Sequence, residues 1–128
     1  MPKHATQSLG RLGEDVAAGF LERRGLVILA RNARSRLGEI DLVARDGATL
    51  VFVEVKARAA GAADPPQAGV DTRKRARLAR AALGYLARHR PQGLRCRFDV
   101  VAVTLDPRGG LPRVEHFTHA FGVEGGDG

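Results

Sequence analysis

Residues 38–57 read GEIDLVARDGATLVFVEVKA. Two β-branched-rich runs, 39–45 and 49–57, alternate in character around Arg45-Asp46-Gly47-Ala48. Such runs favour strands, and Asp-Gly is a strong hairpin signal because both central residues of a type I′ turn need positive φ. A two-residue Asp46-Gly47 loop pairs Arg45 with Ala48. Asp41 then stands opposite Phe52, and Glu39 opposite Glu54. Strand side chains alternate between faces, so Glu39, Asp41, Phe52, Glu54 and Lys56 share one face. Ile40, Leu42, Val51, Val53 and Val55 form an apolar opposite face. In this register Asp41 and Glu54 are diagonal neighbours about 7–8 Å apart by backbone. Two carboxylates at that spacing can reach one divalent ion. A one-residue slip would turn the whole set to the other face, so the expectation rests on the turn.

A plain hairpin with a polar outer face is the alternative. Two details weigh against it. Like charges directly opposed, as Glu39 and Glu54 are here, destabilise a bare sheet unless a cation neutralises them. Lys56 is also unusual in a chain whose 21 basic residues include only three lysines. A lysine two residues beyond Glu54 on the same face suggests a need for a compact point charge, a role arginine does not fill.

The remaining composition sets bounds. A chain of 128 residues is one domain with room for a single core. No apolar run nears 18 residues, and the opening MPKHATQSLG lacks an apolar h-region, so neither a membrane span nor a signal peptide is expected. The lone Cys96 fits a reducing cytoplasm and, inside an apolar run, reads as buried filler. His116 and His119 are three apart with no third ligand nearby, which argues against zinc. Charge is uneven. Residues 71–97 hold nine basic residues and one acid, a net +8, while the rest of the chain nets −1. A local excess of that size points to a polyanion.

Along the chain, residues 1–7 read as a tail and 8–24 as an amphipathic helix capped by Gly25. Gly13, Val16, Ala17, Phe20 and Leu21 form its buried stripe, with Arg11, Asp15 and Glu22 opposite and Glu14 on the border. Residues 26–31 are a first strand, and Asn32 to Leu37 a basic loop carrying Arg34 and Arg36. Residues 57–69 are a small-residue, Pro/Gly-rich loop. Asp71 or Thr72 caps a second helix to about His89. Leu78, Ala79, Ala82, Leu83, Tyr85 and Leu86 form its buried side, Arg73, Arg77, Arg80 and Arg88 the opposite one, and Lys74 sits on the flank beside Tyr85. Residues 96–105 are a central strand whose one internal acid is Asp99, and 112–117 a last strand before a tail from Gly122. The order α-β-β-β-α-β-β over residues 8–121 predicts an α/β domain, a mixed central sheet flanked by helices.

Glu14, Asp41 and Glu54-Val55-Lys56 in this order resemble the PD-(D/E)xK nuclease superfamily with its restriction-endonuclease-like fold. More closely, GRLGEDVAAGFLERRG, GEIDLVARDG, LVFVEVKAR and CRFDVVAV resemble the YraN-like family of small bacterial predicted endonucleases, which are similar to archaeal Holliday junction resolvases. The resemblance spans about residues 9–121. One departure is Ile40, where the superfamily name has proline.

The resemblance implies roles. Asp41, Glu54 and the Val55 carbonyl would ligate Mg²⁺ or Mn²⁺, and Glu14 would complete the acidic cluster through a metal-bound water or a second ion. Lys56 would position or deprotonate the attacking water. Arg34, Arg36, Arg58, Arg73, Lys74, Arg77 and Arg80 would contact nucleic acid, DNA before RNA. Glu39 and Asp99 stay unassigned. Without a recognition helix or finger, structure-selective cleavage by a homodimer is expected. Two alternatives stay open: a non-catalytic nucleic-acid-binding module, and an RNA- or ribosome-associated protein that uses the basic 71–97 segment.

Overall fold

The computed structural model describes residues 2–61, 72–89 and 91–121, with side chains placed from residue 9 to residue 120 of these. The expected cap at Asp71, most of the 57–69 loop and the tail from Gly122 lie outside the described residues. The elements are α1 (Pro2–Arg23), β1 (Val27–Ser35), β2 (Gly38–Asp46), β3 (Thr49–Ala59), α2 (Thr72–His89), β4 (Arg95–Leu105) and β5 (Arg113–Phe121). This is the expected order. The strands form one sheet in sequence order, all neighbours antiparallel except β3 and β4. That parallel pair is joined through α2, because parallel neighbours need a long crossover.

Each helix covers one sheet face. Ala17, Ala18 and Leu21 of α1 pack on Leu42, Ala44, Val51, Val53, Val101 and Val103. Leu78, Ala81, Ala82 and Tyr85 of α2 pack on Ile40, Val43, Leu50, Phe52, Phe98 and Val100. A sheet covered on both faces needs apolar side chains on both, and β3 supplies them as an unbroken buried run from Leu50 to Val53. Phe52, read above as part of the charged face, is therefore core.

Helix α1 begins at Pro2, six residues before the expected start; proline is at home in a helix's first turn. It ends as expected. The N–H of Gly25 donates to the Glu22 carbonyl and that of Leu26 to the Leu21 carbonyl, both at 3.0 Å, the two bonds of a Schellman cap.

Further expectations need correction. The stretch Asn32–Leu37 is not a loop: β1 continues to Ser35 and turns tightly through Arg36 and Leu37 into Gly38. Its arginines suggested a loop, but an edge strand tolerates charge on its open side. The second correction is the hairpin register. Asp46 pairs with Thr49, so the two-residue turn is Gly47-Ala48. Gly47 has φ 60° and Ala48 does not share the positive region, the pattern of a type II′ turn. Asp46 is held in the strand by Arg97, whose Nη1 donates to its Oδ2 at 3.0 Å. Both strands move by one residue, so faces are preserved but opposites change. Continuing from Leu42 opposite Val53, Asp41 comes level with Glu54 rather than Phe52, and Glu39 no longer faces Glu54.

The third correction concerns α2. Its buried face is Leu78, Ala81, Ala82, Gly84 and Tyr85, while Leu83 is exposed and Ala79 only partly covered. Small residues steer this packing. A Cβ at Gly84 would collide with the Ser35 hydroxyl, so only glycine lets the helix settle onto the β1–β2 turn. Cys96 is exposed as well, because cover by the helices begins at Phe98.

Candidate active site

The site forms where β2 leaves β3. Paired residues run from Asp46–Thr49 to Leu42–Val53. At the next position the Asp41 side chain takes the place of a backbone acceptor: its Oδ2 receives the Val55 N–H at 2.9 Å. N–H and C=O of one strand residue point to the same side, so the Val55 carbonyl looks toward Asp41 too.

Asn32 makes room for this departure. By register it lies level with Asp41, between the pairs Arg31–Leu42 and Ala33–Ile40, and its φ is 52°. Asparagine tolerates the left-handed region better than most residues. The kink breaks alternation, so Ala30 and Ala33 both pack against the α2-side cluster. Ile40 follows them, joining Phe52 under α2 rather than Leu42 under α1.

Glu14 reaches the same place from α1. A Cβ on Gly13 would lie 2.5 Å from the Ala57 Cβ, so glycine alone allows the helix this close to β3. The neighbouring Glu14 accepts from Asn32 Nδ2 at 3.1 Å, and Arg31 Nη2 stands 3.9 Å from it. From the other face, Lys74 of α2 meets Glu54, Nζ to Oε2 at 2.6 Å. Lys56 alternates onto the Glu54 side of β3 and is partly buried.

Electrostatics single out Asp41. Its pKa is pushed up to about 6, first by burial, then by the charges of Glu54, Glu14 and Glu39, against the lowering effect of the Val55 N–H. A carboxylate surrounded by like charge has room for a cation. Among the described residues no three His, Cys, Asp or Glu side chains form a ready-made metal cage. The oxygens that could hold an ion are those of Asp41, Glu54 and the Val55 carbonyl. A hard ion that keeps several waters suits such a sparse set.

The other sequence candidates divide. Arg36, Arg73, Arg77 and Arg80 are exposed. Arg34 is exposed and pairs with Glu39, Nε to Oε2 at 3.2 Å. Arg58 is partly buried. Lys74 points into the carboxylates instead of joining the outer basic face. Asp99 belongs elsewhere: it is 1% exposed and bound by Arg97, His116 and the His119 N–H. Asn32 and Arg31 were missed. The one signal for them was a polar residue interrupting the run LARNARS.

All four central candidates, Glu14, Asp41, Glu54 and Lys56, fall within residues 13–103, which match the model of the Uncharacterised protein family UPF0102. The chain belongs to UPF0102. Relatives bear this out across nearly the whole length. A UPF0102 protein of Geobacter metallireducens is 48% identical over 115 residues, covering 90% of this chain and 93% of its own. One from Pelotomaculum thermopropionicum is 48% identical, with 91% and 98% covered. One from Syntrophotalea carbinolica is 50% identical, with 92% and 94% covered. The stretch this UPF0102 chain shares with the family thus runs from Gly13 of α1 to Val103 of β4.

Proposed function

We propose that this UPF0102 chain is a Mg²⁺- or Mn²⁺-dependent endonuclease of PD-(D/E)xK type, hydrolysing phosphodiester bonds of DNA selected by shape. The observation that carries the reading is Asp41. It is partly buried, raised to a pKa of about 6 by that burial and by neighbouring carboxylates, and fixed by the Val55 N–H. A purely structural sheet gains nothing from such repulsion, and perturbed carboxylates of this sort mark functional sites. Asp41, Glu54 and the Val55 carbonyl would hold the ion. When bound, it supplies Lewis acidity at the phosphoryl oxygen and lowers the pKa of water.

The chain's own residues do the rest. Lys56 orients the attacking water and balances the negative charge that grows on the phosphoryl group. Glu14, steadied by Asn32 and Arg31, extends the acidic cluster toward α1. Lys74 neutralises Glu54 until a divalent ion competes for it. The exposed arginines of α2 and Arg36 hold phosphates, which positions a substrate without reading its sequence. Cutting both arms of a junction takes two such centres, hence a homodimer.

The test is cleavage of labelled four-way junction, flap, single strand, duplex and structured RNA in Mg²⁺ or Mn²⁺. Lys56→Ala is expected to lower the rate about 10²- to 10⁴-fold and Glu54→Ala to abolish cleavage. Substrates that bind but stay whole in every metal would sink the nuclease reading. They would leave a nucleic-acid-binding module in which Lys74 permanently fills the cation's place.

A further inference from the structure

One cleft of the molecule plays no part in that chemistry. It opens between edge strand β1 and the C-terminal half of α2 and encloses about 230 Å³. Its walls are made by the smallest side chains: Ala30, Ala33, Ala81 and Gly84. The Asn32 kink turns both Ala30 and Ala33 toward this space. Tyr85 and His89 also line it, with their rings stacked, centroids 4.2 Å apart and planes at 29°. Tyr85 is fixed from beneath by Phe52, edge to face at 5.9 Å. His89, by contrast, is exposed, an outer layer on a rigid ring. Arg34 and Arg88 complete the lining, and both are exposed.

A narrow apolar slot with a stacked aromatic pair and two guanidinium groups suits a flat aromatic group that carries phosphate. Nucleotides have that chemistry, but only unpaired ones can offer a base. Inside a continuous duplex the faces are covered by neighbouring bases, whereas loops, flaps and single strands can splay a base onto an aromatic side chain. The location is apt. Ala33 pairs with Ile40, the residue before Asp41. His89 lies fifteen residues along α2 from Lys74, which meets Glu54, or about 22 Å at 1.5 Å per residue, so a strand that reaches both cleft and carboxylates spans several nucleotides.

We infer that this cleft binds the base of an unpaired nucleotide in the substrate strand, stacked on His89 and Tyr85, with Arg34 and Arg88 on the flanking phosphates. The inference rests on the nucleic-acid reading above and sharpens its substrate class: strands with an unstacked nucleotide, such as flaps, junction arms or single strands, in preference to continuous duplex.

The experiment uses three DNA probes of equal length: a single strand, a flap carrying 2-aminopurine at its unpaired base, and a continuous duplex. Binding is measured in EDTA, and cleavage of the same probes in Mg²⁺ and in Mn²⁺. Native chain is expected to change the 2-aminopurine fluorescence on binding. His89→Ala removes that change and weakens single-strand and flap binding about 5- to 100-fold, with duplex binding unchanged. Ala33→Leu, which fills the slot and keeps every charge, does the same; its far-UV circular dichroism and melting temperature show whether it is folded. Two results overturn the inference: both variants bind all probes like the native chain, or they weaken all three equally. The nuclease reading fails separately, when the native chain binds in EDTA and cuts nothing in Mg²⁺ or in Mn²⁺. A chain that cuts, yet whose His89→Ala variant keeps its flap affinity, loses the cleft and retains the nuclease.

Discussion

Two aspartates flank the central strand of this sheet, and the fold treats them in opposite ways. Asp99 on β4 pairs with Val53, and Asp41 on β2 reaches Val55. Asp99 has a full set of partners. Arg97 grips it with two bonds, Nε to Oδ1 at 3.0 Å and Nη2 to Oδ2 at 3.1 Å. His116 Nε2 lies 2.8 Å from Oδ2, and the His119 N–H donates to Oδ1 at 3.1 Å. Burial alone would raise its pKa, but His116 and Arg97 outweigh it and hold the carboxyl below its ordinary range. Asp41 has one backbone donor and three acidic neighbours, and is raised. Both lose water on folding, Asp99 fully and Asp41 in part, and burial pushes both pKa values up; the company decides the outcome. A satisfied buried charge organises the fold, as Asp99 does where β5 bulges around His119. A frustrated one leaves repulsion in the fold that a bound cation would relieve.

The largest effect comes from breaking the satisfied member. Asp99→Ala leaves the Arg97 guanidinium and the buried His116 ring without their common acceptor. Removing one partner of a buried pair costs about 3–5 kcal/mol, so urea unfolding should show a loss of that order. A loss below about 1 kcal/mol would mean that Asp99 is no anchor. The contrast with Asp41 would then lose its structural half.

Removing the charge of Asp41 should have the reverse sign. The amide that Asp41→Asn introduces keeps an oxygen for the Val55 N–H and removes the repelled charge. The folded pKa of Asp41, about 6, lies above the ordinary 3.8, so the native state binds the proton more tightly than the unfolded chain. Stability from this group is complete below about pH 4 and is lost as the pH rises through about 6. At 1.36 kcal/mol per unit, Asp41→Asn should stabilise the metal-free protein at pH 7 by up to about 3 kcal/mol, and make it inactive. Asp99 runs the other way: its contribution is present above the ordinary carboxylate range and fades only as the pH falls below it. Melting temperatures from about pH 2 to about pH 8 test both, the acid end for Asp99 and the middle for Asp41. Mg²⁺ should raise the melting point of the native chain and not that of Asp41→Asn. Equal stability of the two chains at every pH would show that Asp41 is not under strain.

Much of this was legible in the sequence because it is local. Element order followed from period and turn residues, and the Gly25 cap from its position behind an amphipathic run. Asp41, Glu54 and Lys56 stood out as charges within strand runs, whereas Glu14 was marked only by its border position on α1 and by the family resemblance. The errors arose where distant residues decide a local outcome. The turn reads as Asp46-Gly47, but Arg97 keeps Asp46 in the strand. Ile40 reads as a partner of Leu42, yet one asparagine with positive φ on the neighbouring strand transfers it to the other core. The α2 face was read from leucines, whereas Ala81 and Gly84 set it by allowing close approach to Gly38 and Ser35. Lys74 was placed on the flank beside Tyr85, but no spacing rule announces its bridge to a glutamate twenty positions earlier.

The smallest effect tests whether burial or distance governs the comparison. Arg31 Nη2 meets Asp15 Oδ1 at 2.6 Å, shorter than any bond to Asp99. Their side chains, however, are 39% and 53% exposed. Water and salt screen such a pair, and its two long side chains lose freedom in forming it, so exposed pairs contribute about 0–1 kcal/mol. A double-mutant cycle of Arg31→Ala and Asp15→Ala should therefore give a coupling below about 1 kcal/mol, smaller still in high salt. Arg31 is also 3.9 Å from Glu14, so its removal exposes the acidic cluster to one more uncompensated charge. Its single substitution should cost more than that of Asp15, and the difference should shrink when Mg²⁺ is added. A coupling above about 2 kcal/mol would mean that contact distance outweighs burial. Asp99 and Asp41 would then differ merely in how many bonds each makes.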